Sequence, residues 1–317
     1  MDKPCVILED AHAVLQKDFL DELQSLAPFV SRRHSDKLTY EEALKTCEVL
    51  VISGGSKVKK DYLDRMPNLK QISVFGVGYD GVDVSLAKSR KIMVTHTPNV
   101  MKDDVADTAL SLLLNCARQF VEAHKFIEDE RWLKSSMPLT TSLLGMKVGI
   151  VGLGRIGKEI ARRFLACRCE IAYTARHKHE DCDFTYFSNL KDLALWAQAL
   201  ILIMPLTEEN FHIVNMDILK ALGPQGFLIN VARGKLVDEK SLIKALDEKI
   251  IAGCGLDVFE TEPCAPRELY NRPNVVFYPH FGSATVKTRQ SMANLVIENV
   301  KAYLNKQEVK TPVPEMK

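Results

Sequence analysis

The chain has 317 residues, of which 46% are hydrophobic and 26% charged, as in an ordinary globular protein without biased tracts. A formal net charge of +1 gives no electrostatic reason to expect nucleic acid or an anionic membrane as a partner. No apolar stretch is long enough to span a bilayer, and the N-terminus lacks a signal-peptide pattern, so we expect a cytoplasmic protein. The length suits two domains.

Eight cysteines are scattered along the chain, mostly within apolar strand or helix patterns, where a free cysteine behaves as a small hydrophobe. Only Cys167 and Cys169 stand close together, without a second pair or a histidine at zinc-ligand spacing. We expect reduced cysteines and no metal site.

The first hundred residues alternate short β-rich runs with helical segments. The strand patterns are Cys5–Leu8, Glu48–Ile52, Ile72–Phe75 and Ile92–Val94, and the helical ones include Asp18–Leu26 and Asp61–Met66. This alternation predicts a parallel sheet.

A long helical pattern then runs from about Asp103 to Glu128, after the break at Pro98-Asn99. Its apolar residues cover most of the helix surface, which is typical of a helix buried between layers or between subunits. We therefore expect a homodimer formed through this helix and the Arg131–Leu144 segment.

A dinucleotide-binding pattern follows, because Gly152, Gly154 and Gly157 stand between an apolar strand run and a helical run. One glycine makes a tight turn, one lets backbone amides approach a pyrophosphate, and one lets the helix pack close to the strand. The positive helix N-terminus then faces the anion. An ordinary strand–turn–helix is the alternative. The cofactor contacts expected here are Gly152, Leu153, Gly154, Arg155, Ile156 and Gly157.

The residues about 20 positions further on decide between the two dinucleotides. Enzymes that use NAD normally carry an acid there to hold the ribose 2′-hydroxyl. Here the next strand pattern ends in Ala175-Arg176-His177-Lys178, without an acid. Arg176 and Lys178 suit a 2′-phosphate, and a solvated basic loop is the alternative. We expect NADP(H) in preference to NAD(H), bound by Arg176, His177 and Lys178.

Six strand patterns follow one another from Lys147 onwards and predict a Rossmann-type doubly wound domain. They lie at about 147–152, 170–175, 199–204, 226–232, 251–257 and 274–279. The last helical pattern, Thr285 to Asn305, is long enough to return to the N-terminal domain. We expect one domain at 1–99 with 285–317 and the other at 100–284, with a hinged cleft for a small ligand.

Three motifs stand at or beyond the last strands, where ligands of open sheets bind. They contain a cation, an acid and an imidazole: Arg233, Glu262 and His280. Reduction of a 2-keto acid requires an anchor for the carboxylate and a proton donor for the developing alkoxide. Each residue alone fits an ion pair, a turn or a loop. Their order behind the glycine pattern favours a catalytic set, in which the acid favours the charged imidazole and fixes its tautomer.

These motifs resemble those of the D-isomer-specific 2-hydroxyacid dehydrogenases over nearly the whole chain. The shared motifs are the glycine pattern, V-A-R-G at 231–234, L-D-V-F-E-T-E-P at 256–263 and P-H-F-G-S-A-T at 279–285. The resemblance implies that Arg233 binds the substrate carboxylate and carbonyl, Glu262 is the acid partner and His280 donates the proton. It also implies that Asp257 holds the nicotinamide amide.

The resemblance further implies that the smaller domain is a flavodoxin-like α/β substrate domain. F-G-V-G-Y-D-G-V-D at 75–83 looks like the family's substrate loop, in which the amides of Val77 and Gly78 receive the carboxylate. The remaining cofactor contacts that it implies are Pro205, Val231 and Ala232. A two-fold dimer is implied as well, with Trp132 either near the partner's active site or packed at the interface.

Within the family, the sequence is most similar to NADPH-using hydroxyphenylpyruvate and glyoxylate/hydroxypyruvate reductases, through 97–109, 221–224 and the basic loop. Ala175 departs from the small hydroxyl residue common there, and Asp107 from the Glu of the wider family. The implied activity is reduction of glyoxylate, hydroxypyruvate or an aryl-pyruvate to the D-2-hydroxy acid with NADPH. The alternative, a dinucleotide-sensing binding protein of the corepressor type, is disfavoured because both proton-transfer residues are present.

Overall fold

A computed structural model describes residues 5–9, 17–32 and 35–317. Met1–Pro4, on which the expectation of no signal peptide rests, lie outside the described residues. The strands are β1 (Cys5–Leu8), β2 (Phe29–Ser31), β3 (Cys47–Ser53), β4 (Gln71–Phe75), β5 (Met93–Thr95), β6 (Lys147–Val151), β7 (Glu170–Thr174), β8 (Thr185–Tyr186), β9 (Ala199–Leu202), β10 (Phe227–Asn230), β11 (Gly253–Leu256) and β12 (Val275–Phe277). The helices are α1 (Lys17–Leu26), α2 (Lys37–Thr46), α3 (Lys60–Leu63), α4 (Val84–Ser89), α5 (Lys102–Arg118), α6 (Phe120–Glu128), α7 (Arg155–Ala166), α8 (Leu190–Trp196), α9 (Met216–Leu222), α10 (Glu239–Asp247) and α11 (Val286–Leu304). None of these helices is long and apolar enough to cross a membrane.

The chain divides into two compact units, 1–101 with 284–317 and 102–283. Each unit contains its own parallel sheet. The α/β class predicted from the alternation of strands and helices is confirmed.

The first unit has the strand order β2-β1-β3-β4-β5, which is the flavodoxin-like order. Side chains alternate between its two faces. Val6 and Val49 pack with α1 and α11, whereas Ile7 and Leu50 pack with α2 on the opposite face. The flavodoxin-like fold implied by the resemblance is confirmed. Sequence patterns missed β2, which has only three residues.

The second unit has the strand order β12-β11-β10-β9-β6-β7-β8, a Rossmann order extended by one strand. The central strand β6 pairs Val151 with Thr174 on one side and with Leu202 on the other. Helices α8, α9 and α10 cover one face of this sheet. Helices α5 and α7 pack against each other, and α5 also contacts β10, β11 and β12. Six strands were predicted, and the seventh is the two-residue β8. Strands β7 and β8 lie on one side of β6, and β9 to β12 lie on the other. The strand order therefore reverses at β6, and ligands of such sheets bind at the carboxyl end of the strand where the order reverses.

The long helix expected from Asp103 to Glu128 is not continuous, and this prediction was wrong. Gln119 has a φ of 51°, in the left-handed region, so it ends α5 and starts α6. The apolar side of α5 is covered within its own unit, since Leu112 and Cys116 are buried against the sheet. Within residues 102–144, the large apolar side chains left exposed lie in α6 and in the segment that follows it.

Candidate active site

The glycine pattern makes the turn between β6 and α7. Gly152 has a φ of 105°, and its N–H donates to the carbonyl of Thr174 at 2.9 Å. A Cβ on Gly157 would lie 2.1 Å from the carbonyl oxygen of Gly152, so only glycine lets the helix pack this close to the strand. Two of the three expected reasons for glycine are therefore visible in the packing.

Gly154 stands at the N-cap of α7, where no side chain caps the helix. A Cβ built on it meets nothing within 4 Å, so this side of the turn is open. The amides of Arg155 and Ile156 belong to the first helical turn, whose N–H groups have no acceptor within the helix. These residues fit the pyrophosphate of a dinucleotide, because the open glycine leaves room and the helix start supplies donors and a positive dipole end.

The basic loop Arg176-His177-Lys178 follows β7, the strand next to β6, and is exposed. Within the described part of the chain, Arg176 and Lys178 form no ion pair. Asp181, a nearby acid, is held by Lys158, whose hydrogen bond keeps the pKa of Asp181 below its usual value. The loop is therefore a cationic surface that can accept a phosphate.

The loop after β9 is held by Asn210, a residue that sequence reasoning missed. Its amide nitrogen donates to the carbonyl of Pro205 at 2.8 Å, and its oxygen accepts from Thr207 N at 2.7 Å. Asn210 is buried, and its hydrogen bonds hold Pro205 in place after β9. Because β9 is the neighbour of β6, Pro205 lies at the sheet edge beside the glycine turn. An Asn in a loop carries no periodic signal that would have marked this role.

The turn after β10 presents Arg233. Asn230, fully buried, accepts from Ala232 N at 3.0 Å and donates to the carbonyl of Arg233 at 2.8 Å. Arg233 Nη1 donates to the carbonyl of Ala232 at 2.7 Å. A Cβ on Gly234 would lie 1.8 Å from the carbonyl carbon of Phe259, so this turn packs directly on the chain beyond β11. The guanidinium is thus presented by a rigid turn.

Glu262 and His280 form a pair at the same edge of the sheet. Glu262 Oε2 lies 2.7 Å from His280 Nδ1, and Glu262 Oε1 accepts from Phe259 N at 3.1 Å. Burial acts to raise the pKa of Glu262, but the hydrogen bond and charge of His280 outweigh it, and the pKa lies below its usual value. Because Nδ1 is held by the carboxylate, Nε2 is the ring nitrogen left to exchange a proton with a ligand.

Asp257, which is 2% exposed, ties the end of β11 to the segment that carries the histidine. Its carboxylate accepts from Phe281 N at 2.8 Å and from Gly282 N at 3.0 Å, while its carbonyl accepts from His280 N at 2.8 Å. Burial raises the pKa of Asp257 against the effect of these N–H groups. A carboxylate has about four acceptor positions, so Asp257 retains capacity for a further donor.

Strands β10, β11 and β12 are neighbours, and their carboxyl ends meet at one edge of the second sheet. This edge brings together Arg233, Asp257, Glu262 and His280 with Val231 and Ala232. It combines a cation, an imidazole held by a carboxylate and a buried acceptor. Such a set can bind a carboxylate and deliver a proton to a developing alkoxide.

In the first unit, Val77 and Gly78 lie in the loop after β4. His96 Nδ1 lies 3.0 Å from the carbonyl of Val77. Sequence reasoning missed Arg289 of α11, whose guanidinium lies 5.8 Å from the centre of the Phe75 ring, just before this loop. Its Nε is buried and finds no acceptor among the described residues, and burial lowers the pKa of Arg289. Arg289 is one of several polar and charged residues of α11, so nothing in the sequence marked its location.

One further cluster contains possible metal ligands: His212, Asp238 and Glu260 have ligand atoms within 4.8 Å of one another. Both acids already accept hydrogen bonds from backbone N–H groups. Asp238 caps α10, and Glu260 accepts from Glu239 N at 2.9 Å. The expectation of no metal site stays a prediction.

Comparison with known proteins gives concordant matches. The sequence profile described as "D-isomer specific 2-hydroxyacid dehydrogenase, NAD binding domain" matches residues 110–282. A hydroxyphenylpyruvate reductase of Plectranthus scutellarioides is 41% identical over 273 residues, 86% of this chain and 87% of the relative. A 2-ketogluconate reductase of Gluconobacter oxydans is 38% identical over 98% of this chain and 99% of its own length. The crystal structure of an NADPH-dependent glyoxylate/hydroxypyruvate reductase from Sinorhizobium meliloti, in complex with NADP and malonate, matches with a TM-score of 0.92 and 41% identity, over 99% of this chain and 98% of that one.

Proposed function

Because the chain belongs to the D-isomer-specific 2-hydroxyacid dehydrogenase family, we propose that it reduces a small 2-keto acid to the D-2-hydroxy acid with NADPH. These matches confirm the resemblance seen in the motifs, and the protein is an oxidoreductase that uses a nicotinamide dinucleotide. The observation that carries the proposal is the 2.7 Å contact between Glu262 and His280, next to the turn that presents Arg233.

The proposed mechanism assigns one task to each side chain. Arg233 binds the carboxylate and carbonyl of the substrate, and the amides of Val77 and Gly78 receive the carboxylate. The bound dinucleotide supplies the hydride. His280, with Nδ1 on Glu262, donates the proton of Nε2 to the carbonyl oxygen as negative charge develops there. In the oxidative direction the neutral ring accepts that proton.

We propose that residues 100–284 bind the cofactor and that 1–99 with 285–317 bind the substrate. The glycine turn would hold the pyrophosphate, with Leu153, Pro205, Val231 and Ala232 as further contacts and Asp257 on the nicotinamide amide. Preference for NADPH rests on Arg176, His177 and Lys178, which offer cations where an NAD enzyme carries an acid.

Glyoxylate, hydroxypyruvate and aryl-pyruvates are the proposed substrates, in keeping with the names of the relatives. The binding-only alternative of the corepressor type gains no support from relatives that are named as reductases. We place the reaction in the cytoplasm. A net charge of +1 gives no electrostatic reason to propose nucleic acid or a membrane as a partner.

We also propose a homodimer built on α6 and residues 131–144. Ile127 is 61% exposed, Trp132 69% and Leu133 82%, so this region presents large apolar side chains to solvent in the single chain. Exposed apolar surface of this kind is typical of a subunit interface. Trp132 would lie in that interface or near the partner's site.

The test is a steady-state assay of 2-keto acids with NADPH and with NADH, using the natural protein and Arg176→Ala. Charge-assisted bonds to a phosphate contribute roughly 1.5–3 kcal/mol each, so Arg176→Ala should raise the KM for NADPH on the order of tenfold to a hundredfold. The KM for NADH should change little, and Lys191→Ala, an exposed lysine on α8, is the matched control. Absence of turnover with every keto acid would refute the reductase, and equal losses with the two cofactors would refute the NADPH preference.

A further inference from the structure

The loop after β4 is held at two successive carbonyl groups by the segment that follows β5. Strands β4 and β5 are neighbours in the first unit, so these two segments lie side by side. The N–H of Thr97 donates to the carbonyl of Gly76 at 2.9 Å, and His96 Nδ1 lies 3.0 Å from the carbonyl of Val77. Because a carbonyl oxygen only accepts, Nδ1 carries the proton in this contact.

The peptide units that carry these two carbonyls also carry the amides proposed to receive the substrate carboxylate. The carbonyl of Gly76 shares a peptide unit with the N–H of Val77, and the carbonyl of Val77 shares the next with the N–H of Gly78. Both units are trans, so each N–H points away from its own carbonyl. The two N–H groups therefore point away from His96 and Thr97, and neither donates to another described residue.

The imidazole of His96 is itself held in place within the first unit. The backbone N–H of His96 donates to the carbonyl of Thr311 at 3.1 Å, and the carbonyl of His96 accepts from Thr311 Oγ1 at 2.6 Å. The ring of Tyr79 meets the imidazole edge to face, with the ring centres 5.4 Å apart. The hydroxyl of Tyr79 in turn donates to Glu315 at 3.1 Å. His96 thus donates to the loop from a fixed position.

We propose that His96 is a positioning residue, which orients and polarises the peptide between Val77 and Gly78 for binding of the substrate carboxylate. A hydrogen bond at the carbonyl end of a peptide makes its N–H a stronger donor, by about 10–30% for each bond in such a chain. Without the imidazole, the Val77 carbonyl loses this donor and the loop is free to turn its amides away. The inference rests on the proposed reduction of a 2-keto acid, and His96 acts through the loop in it.

The test compares a substitution that keeps a donor at the Nδ1 position with two that do not. In His96→Asn the amide nitrogen can stand where Nδ1 stands, whereas His96→Leu has no donor and His96→Gln places its amide near the Nε2 position. We expect His96→Leu and His96→Gln to raise the KM for glyoxylate by about fivefold to tenfold, the usual effect of one lost hydrogen bond. His96→Asn should stay within about twofold of the natural protein.

A role in carboxylate binding has further signatures that a purely structural role lacks. The KM for hydroxypyruvate should rise by the same factor as that for glyoxylate, because the carboxylate is common to both. The value of kcat and the KM for NADPH should change much less. Oxalate has the carboxylate but no reducible carbonyl, and its inhibition constant should rise in parallel with the KM.

Unchanged KM values in His96→Leu and His96→Gln would overturn the role of His96, and so would equal rises in all three variants. His96→Gln keeps a polar side chain of similar length, so it provides the comparison if His96→Leu does not fold. Failure of the natural protein to reduce any 2-keto acid would instead refute the proposed function.

Discussion

The Glu262–His280 contact has a definite pH signature. The pKa of Glu262 lies below its ordinary value of 4.5, because its hydrogen bond and charge interaction with His280 outweigh its burial. The stability that this shift contributes is therefore fully present above pH 4.5 and is lost only as the pH falls through the lowered pKa. Near neutral pH the carboxylate is ionised and favours the protonated ring that reduction requires.

Replacing Glu262 by Gln removes that negative charge while keeping a similar shape. We expect the alkaline limb of kcat/KM for reduction to move to lower pH, with a smaller loss of rate than removal of the histidine itself causes. The pH profile of NADPH-linked reduction measures this. Glu260→Gln is the matched control, because Glu260 faces another histidine, His212, at 3.0 Å. An unchanged profile in Glu262→Gln would show that the pairing has no role in proton transfer.

The proposed catalytic residues were predictable as a set, although none was decisive alone. Arg233, Glu262 and His280 each follow a strand pattern, and their order pointed to one edge of the sheet. The residues that hold them in place were less accessible to sequence reasoning. Asn230 and Asn210 act through buried amide hydrogen bonds, which leave no mark on hydrophobic periodicity. Their roles are visible only in the folded structure.

Among the elements, the β6–α7 turn has one glycine that close packing requires, Gly157, and one that leaves room for a ligand, Gly154. Gly157→Ala would force a methyl group to within 2.1 Å of the Gly152 carbonyl, so we expect it to destabilise the protein by roughly 1–3 kcal/mol. Gly154 has a φ of −75° and open space, so Gly154→Ala should leave the Tm nearly unchanged and weaken NADPH binding instead. Thermal unfolding and cofactor titration measure the two effects. A large loss of Tm in Gly154→Ala would contradict this division.

Element prediction succeeded where the pattern was long and failed where it was short or local. The apolar runs of β3 and β6 and the long helix α11 stood out from the sequence. Strands β2 and β8 have three and two residues, too few to show alternation. The break at Gln119 depends on a left-handed backbone at a residue type without that preference, so apolar periodicity ran through it.

For the whole molecule, the exposed apolar residues of α6 predict self-association. We expect sedimentation at micromolar concentration to give twice the 35.6 kDa of one chain. Ile127→Glu should shift the protein towards the single-chain mass, because a charge would be buried at the interface. Leu195→Glu changes an exposed leucine of α8 and should not have this effect. A single-chain mass for the natural protein would remove the basis for the dimer.

The measurement that tests the central claim most directly compares His280→Ala with the natural protein in NADPH oxidation by glyoxylate, alongside NADPH binding. If His280 is the proton donor, kcat should fall on the order of a hundredfold or more. The Kd for NADPH should stay nearly constant, because the ring acts on the substrate, and His212→Ala should retain turnover. Turnover close to that of the natural protein in His280→Ala would contradict the account.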